Sequence, residues 1–203
     1  NAAGRGLRVI RPFALALLLT LVPVAADAQW CTREGAELED TPSQQSERGF
    51  GAMLQIATEA ESKRFHEEWY GTPTAHAPRL ETTSSAHRGD TVSVLVLYAG
   101  CALDDTTAEA IDAGQAPCKA QLRLRVVAPD GKDYTDLEEL PLAQSQPSAP
   151  AHIMQLSPVE LKIRFEPEDA FGDYRFEARI DHPDKDSLLQ LSTTVTLKPV
   201  EAE

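Results

Sequence analysis

From Thr91 to Tyr98 the chain reads TVSVLVLY, and a period of two places Val92, Val94, Val96 and Tyr98 on one face. The same period recurs at Gln121 to Val127 (QLRLRVV), with Leu122, Leu124 and Val126 inward and Arg123 and Arg125 outward. It returns with Val159, Leu161, Ile163 and Phe165, then with Tyr174, Phe176, Ala178 and Ile180. Leu189, Leu191, Thr193, Val195 and Leu197 close the series. Alternation on a single side predicts sheets that bury one face each, which favours an antiparallel sandwich over a parallel sheet. Pro129-Asp130-Gly131 supplies turn chemistry between strands, and Gln144 to Ala151 reads as a Pro/Ser/Gln loop.

Upstream, Phe50, Ala52, Leu54 and Ile56 alternate as a strand. Thr58 followed by Glu61 is a capping box, and it predicts a helix from Glu59 to Tyr70. Gly71, Pro73 and Pro78 end it. Phe65 and Trp69 lie one turn apart on one face of a helix too short to stand alone in water, so they are expected to dock it on an apolar surface. The stretch 29–48 is polar and unpatterned and reads as a flexible leader.

The first residues read as an address. Arg5, Arg8 and Arg11 precede an uncharged run from Pro12 to Val24, and Ala26-Asp27-Ala28 offers small residues at a cleavage site. That is the plan of a secretory signal peptide, and the run is too short for a membrane span of about 20 residues. The expected organisation is a signal peptide at 1–28, a leader at 29–48, a strand-helix extension at 49–78 and a sandwich domain at 79–203, in a periplasmic or secreted protein with no transmembrane span in the mature chain. Trp30, directly before Cys31, spoils a lipoprotein pattern. In an oxidising compartment Cys101 and Cys118 are expected to bridge the neck of a polar loop, a link worth about 3 kcal/mol. Cys31 is left over, free or paired between chains.

The formal charge is −13 for 203 residues, and −15 once 1–28 are removed. Such acidity speaks against nucleic acid and against docking on anionic lipid, both of which need clustered Lys and Arg. Candidate chemistry is sparse. His66-Glu67-Glu68-Trp69-Tyr70 begins like a zinc-peptidase helix, but Tyr70 stands where the second His is required. Asp181, Asp184 and Asp186 crowd one hairpin and could give part of a calcium shell; Asp104 and Asp105 do so more weakly. Glu166, Glu168 and Asp169 resemble paired carboxylates for acid/base work, although a turn explains them better. G-x-S-x-G and Gly-rich phosphate loops are absent from the sequence.

Asp169-x-x-Gly172-x-Tyr174 precedes the penultimate strand. It resembles the tyrosine corner of immunoglobulin-like and fibronectin-type sandwiches, in which the Tyr hydroxyl bonds back to the chain just upstream. The resemblance implies an all-β, immunoglobulin/fibronectin-like antiparallel sandwich with a short N-terminal strand-helix extension. It departs from the antibody type, since the third-strand candidate lacks Trp and no Cys pair links the sheets. The pieces GFGAML, LYAGC, APDGKDY and FEPEDAFGDY, with a short helix ending in Trp, also resemble uncharacterised bacterial exported proteins with an Ig-like C-terminal half. The expected function is a non-catalytic exported module, without cofactor, that binds a protein partner in the cell envelope or stabilises an envelope assembly. The alternative is a carbohydrate- or Ca²⁺-binding module, and a hydrolase comes third.

Overall fold

The computed structural model describes residues 39–71, 78–101, 118–143 and 154–200. The expected signal peptide, Cys31, Asp104, Asp105 and the 144–151 loop lie outside the described residues. In chain order come β1 (Gln44–Glu47), β2 (Phe50–Thr58), α1 (Glu59–Gly71), β3 (Ser85–His87), β4 (Thr91–Ala99) and β5 (Gln121–Val127). Then follow β6 (Asp133–Pro141), β7 (Gln155–Leu156), β8 (Leu161–Arg164), β9 (Gly172–His182) and β10 (Ser187–Lys198). The first sheet has the order β1-β2-β4-β7, with β8 also on β4; the second runs β3-β10-β9-β5-β6. Among the described residues only β3 on β10 is parallel; the other pairings are antiparallel. The protein is mostly β.

The two sheets face each other across one core. Phe50, Leu54 and Ile56 of β2 and Val92, Val94 and Val96 of β4 meet Leu122 and Leu124 of β5, Phe176 and Ile180 of β9, and Leu191 and Val195 of β10. Apolar residues at every second position leave water together, at roughly 1.5–3 kcal/mol for each large side chain.

Three expectations need correction. The extension expected at 49–78 is not separate from the sandwich, because β2 pairs with β4 from Gly51 to Thr58 and feeds the common core. The leader expected at 29–48 includes strand β1, which turns into β2 through Arg48-Gly49, both at positive φ, as two-residue hairpins require. Its side chains carry no alternating signal because the backbone makes the ladder. β4 does not bury one face only: Leu95 and Leu97, on the side away from the main core, are buried with Ala57 and Leu156 under Phe65.

Helix α1 causes that second burial. Thr58 Oγ1 accepts from the Glu61 amide at 3.3 Å, so half of the capping box forms. The Glu61 carboxylate turns instead to Arg64 and to the Glu81 amide, at 2.6 and 2.8 Å. Phe65 is buried on the outer face of the first sheet, and the half-buried Trp69 lies against it with ring centroids 5.3 Å apart. Ser62, also buried, donates to Glu160 at 2.7 Å and ties the helix to the loop before β8.

Among the described residues no helix covers the second sheet in this way. The chain before β2 instead seals the edge of β10. Pro42 O accepts from the Ser192 amide at 2.6 Å, Gln45 Oε1 from Gln190 at 3.0 Å and Glu47 Oε2 from Leu188 at 3.2 Å. An edge occupied in this way cannot recruit another strand.

Candidate functional surface

The outer face of the second sheet is a broad polar surface that none of the described elements covers. Its register sets the side chains in rows across four strands. In one row Asp136 of β6, Arg125 of β5, Glu177 of β9 and Ser192 of β10 stand side by side. Charges alternate there, and Arg125 meets Asp133 at 2.6 Å and Glu177 at 3.3 Å. Glu177 also meets Arg175 at 2.6 Å. In the next row Arg123 of β5 stands opposite Arg179 of β9, and Arg179 opposite Gln190 of β10. Two like charges placed directly across a ladder repel each other.

Arg123 is drawn away from that repulsion. Its guanidinium binds Asp136 and lies 2.9 Å from Glu138, both on β6. The hydrogen bond to Asp136 holds the Arg123 pKa above its ordinary value and the Asp136 pKa below it. A bulge between β5 and β6 lets both Glu138 and Glu139 reach this end of the sheet, and Glu139 has φ +56. Bulges re-aim side chains in this way, often beside functional surfaces. Arg179 has no acid partner among the described residues.

A groove of about 340 Å³ crosses this face over Arg123, Arg125, Glu177 and Arg179, with Gln190 and Ser192 along one wall. A second, of about 300 Å³, runs past Glu138, Glu139 and Asp181 and shares Arg123 and Arg179 with the first. The two arginines therefore sit where the grooves join. The two grooves together set Arg123, Arg125 and Arg179 among the carboxylates of Glu138, Glu139, Glu177 and Asp181.

Apart from Asp181, the candidate site residues singled out from the sequence lie elsewhere. Cys101 and Cys118 are disulfide-bonded, with Cα atoms 5.3 Å apart, at the end of the core, where the buried His182 also bonds the Cys101 carbonyl at 3.0 Å. Tyr174 is buried and donates to the Ala170 carbonyl at 3.0 Å, just upstream in the chain. Burial pushes its hydroxyl pKa up. Asp169 accepts from the Glu166 amide at 2.7 Å and the Tyr134 hydroxyl at 2.8 Å. Gly172 has φ +131, and a Cβ there would come within 3.1 Å of the Pro129 side chain, so a larger residue would be strained twice over. Asp169, Gly172 and Tyr174 thus build a turn.

The remaining candidates are dispersed. Asp184 meets Lys119 at 3.0 Å, Asp186 pairs with Arg48, and Asp181 lies in the groove. Among the described residues no group of three His, Cys, Asp or Glu side chains is placed to hold a metal. His66 Nδ1 lies 2.8 Å from the Ser62 carbonyl of its own helix, and the Ser62 hydroxyl is spent on Glu160. Burial opposes ionisation of Glu160, but the Ser62 hydrogen bond and nearby Lys162 outweigh it and hold its pKa below the ordinary value. That trio fixes the helix and shows no base directed at a free hydroxyl. Among the described residues no helix is long and apolar enough to cross a membrane.

No family model and no curated protein matches the sequence. Among solved structures, a Pseudomonas fluorescens alkylpurine DNA glycosylase, AlkC, bound to DNA with an abasic site analogue is similar at 12% identity and TM-score 0.33, over 57% of this chain and 28% of its own. A family 123 glycoside hydrolase from Clostridium perfringens is similar at 7% identity and TM-score 0.38, over 73% of this chain and 27% of its own. AvmM, which catalyses macrocyclisation in alchivemycin A biosynthesis, is similar at 13% identity and TM-score 0.25, over 80% of this chain and 99% of its own. The chain spans little more than a quarter of the first two, and likeness at this level carries no functional reading.

Proposed function

We propose that this chain is an exported, immunoglobulin-like, non-catalytic module that binds a protein partner of the cell envelope through the outer face of its second sheet. The strand arrangement supports the fold reading. β10, β9, β5 and β6 have the order of strands G, F, C and C′ of an immunoglobulin sheet, while β2, β4 and β8 stand as A, B and E. Tyr174 near the start of β9, bonded back to Ala170, fits the corner of strand F. The charged start, apolar run and Ala-Asp-Ala end of residues 1–28 support export, and so does the Cys101–Cys118 bridge.

One observation carries the binding reading. The first sheet is roofed by α1, whereas among the described residues the second presents a groove with an arginine, Arg179, that meets no acid partner. A photo-cross-linking residue at Gln190, in the producing cells, tests it. The expected result is a discrete protein adduct from position 190 and none from Lys63 on the exposed side of α1. Absence of an adduct at 190, or the same adducts from both positions, contradicts it.

A further inference from the structure

We infer that segment 42–47 is a removable guard on the edge of β10, and that a second copy of this chain pairs with that edge once the guard is lifted. The two sides of the second sheet supply the reason, because they are protected in different ways. β6 protects itself. It carries Asp133, Asp136, Glu138, Glu139 and Pro141 within nine residues, and a bulge lies between Leu137 and Leu140. Charge, proline and bulges stop one sheet edge from adding to another. β10 has none of these devices. Residues 187–197 (SLLQLSTTVTL) hold no charge and no proline, and they pair with β9 in unbroken register. A long neutral strand rich in Leu, Thr and Val adds readily to a like strand when its edge is bare.

The protection of β10 is therefore external. β3 takes the edge at 196–198, and the guard takes 188–192. Its contacts fall on alternate residues and run antiparallel to β10: the Pro42 carbonyl on the Ser192 amide, Gln45 Oε1 on Gln190 and Glu47 Oε2 on Leu188. A further antiparallel strand would use these same amides. β1 sends no side chain into the core, so lifting it breaks surface contacts rather than core packing. Behind the guard β10 is self-complementary. Turned about a two-fold axis at Gln190, Leu188 comes opposite Ser192, and each outward amide meets a carbonyl of the other copy. No like charges are brought together, since 187–197 hold none.

The Gln45→Ala/Glu47→Ala double variant of the full chain tests the inference, followed by sedimentation and by amide exchange over a range of concentrations. The double variant should form a dimer with a Kd below about 1 mM. Exchange of its Leu188 and Gln190 amides should slow at least about tenfold as the dimer forms. In the parent, exchange at these amides should not change with concentration. Adding Gln190→Lys sets like charges across the two-fold axis and should return the double variant to monomer. Gln45→Ala alone keeps the Glu47 contact and should associate in the same way but more weakly, and it takes the place of the double variant if that does not fold. A variant that stays monomeric over this range, or a dimer that Gln190→Lys does not disperse, would overturn the inference. So would a dimer whose Leu188 and Gln190 amides exchange as fast as in the monomer, or a parent whose exchange already slows with concentration.

Discussion

The carbonyl oxygen of Gly49, in the β1–β2 turn, lies 1.9 Å from where a Cβ on Gly100 would stand. Gly100 also has φ +75, just before the disulfide-bonded Cys101, so the hairpin turn closes onto the end of β4 only because that position is bare. Gly100→Ala must move backbone against backbone in a region disfavoured for an L side chain. It is expected to destabilise the protein by at least about 2 kcal/mol, read as a lower urea midpoint at unchanged slope. A midpoint within about 0.5 kcal/mol of the parent would show that the turn can lift away from β4 freely.

Tyr174→Phe removes the hydroxyl that the Ala170 carbonyl accepts from at 3.0 Å, inside a cluster of Phe165, Tyr134 and Tyr174 rings. The ring still fills its space, so the loss is that of one half-buried hydrogen bond, about 1–3 kcal/mol. Chemical denaturation checks this, and an unchanged midpoint would contradict the corner.

Glu61 carries the pH dependence of the helix attachment. Its bonds to Arg64 and to the Glu81 amide lower its pKa from 4.5 to about 2. A carboxyl whose folded pKa is depressed stabilises the fold above its unfolded pKa, and loses that contribution as pH falls through the folded value. Stability should therefore decline between about pH 4.5 and pH 2. Glu61→Gln should be less stable at neutral pH and show a flatter decline in that window. An identical acid limb in both proteins would show that the Glu61 contacts contribute nothing.

Phe65→Ala should uncouple α1 from the first sheet. The ring is buried against Ala57, Leu95, Leu97 and Leu156, and large-to-small changes at such sites cost about 3–5 kcal/mol. Amide exchange in 59–71 should accelerate more than in β9 and β10. Uniform acceleration over the whole chain would mean that the helix is integral to the global unfolding unit and not a separately docked element.

The long alternating segments announce themselves because each sends one row into a shared core. β6 does not, since the bulge at Glu139 breaks the period of DYTDLEELP, and β3 and β7 are only three and two residues long. The double burial of β4 was hidden for another reason. Leu95 and Leu97 look like interruptions of a polar face until α1 covers them, and Phe65 and Trp69 indicate only that the helix needs some apolar surface. The arginine row was half visible. Outward-facing Arg123 and Arg125 follow from the alternation of QLRLRVV. That Arg179 stands opposite Arg123 depends on the β5–β9 register between strands far apart in sequence, which no local pattern encodes.

The proposed docking face requires Arg179 for recognition and not for the fold, and urea denaturation of Arg179→Gln at low salt tests this. Arg179 faces Arg123 and has no acid partner among the described residues. Relief of one cross-strand repulsion is worth about 0.2–1 kcal/mol. Arg179→Gln is expected to be as stable as the parent or more so within that range, with any gain shrinking as added salt screens the pair. Arg125→Gln, which removes the ion pairs to Asp133 and Glu177, should be less stable than the parent. An Arg179→Gln protein destabilised by more than about 1 kcal/mol would contradict the claim, because surface substitutions that touch no structural partner stay within about 0.5 kcal/mol.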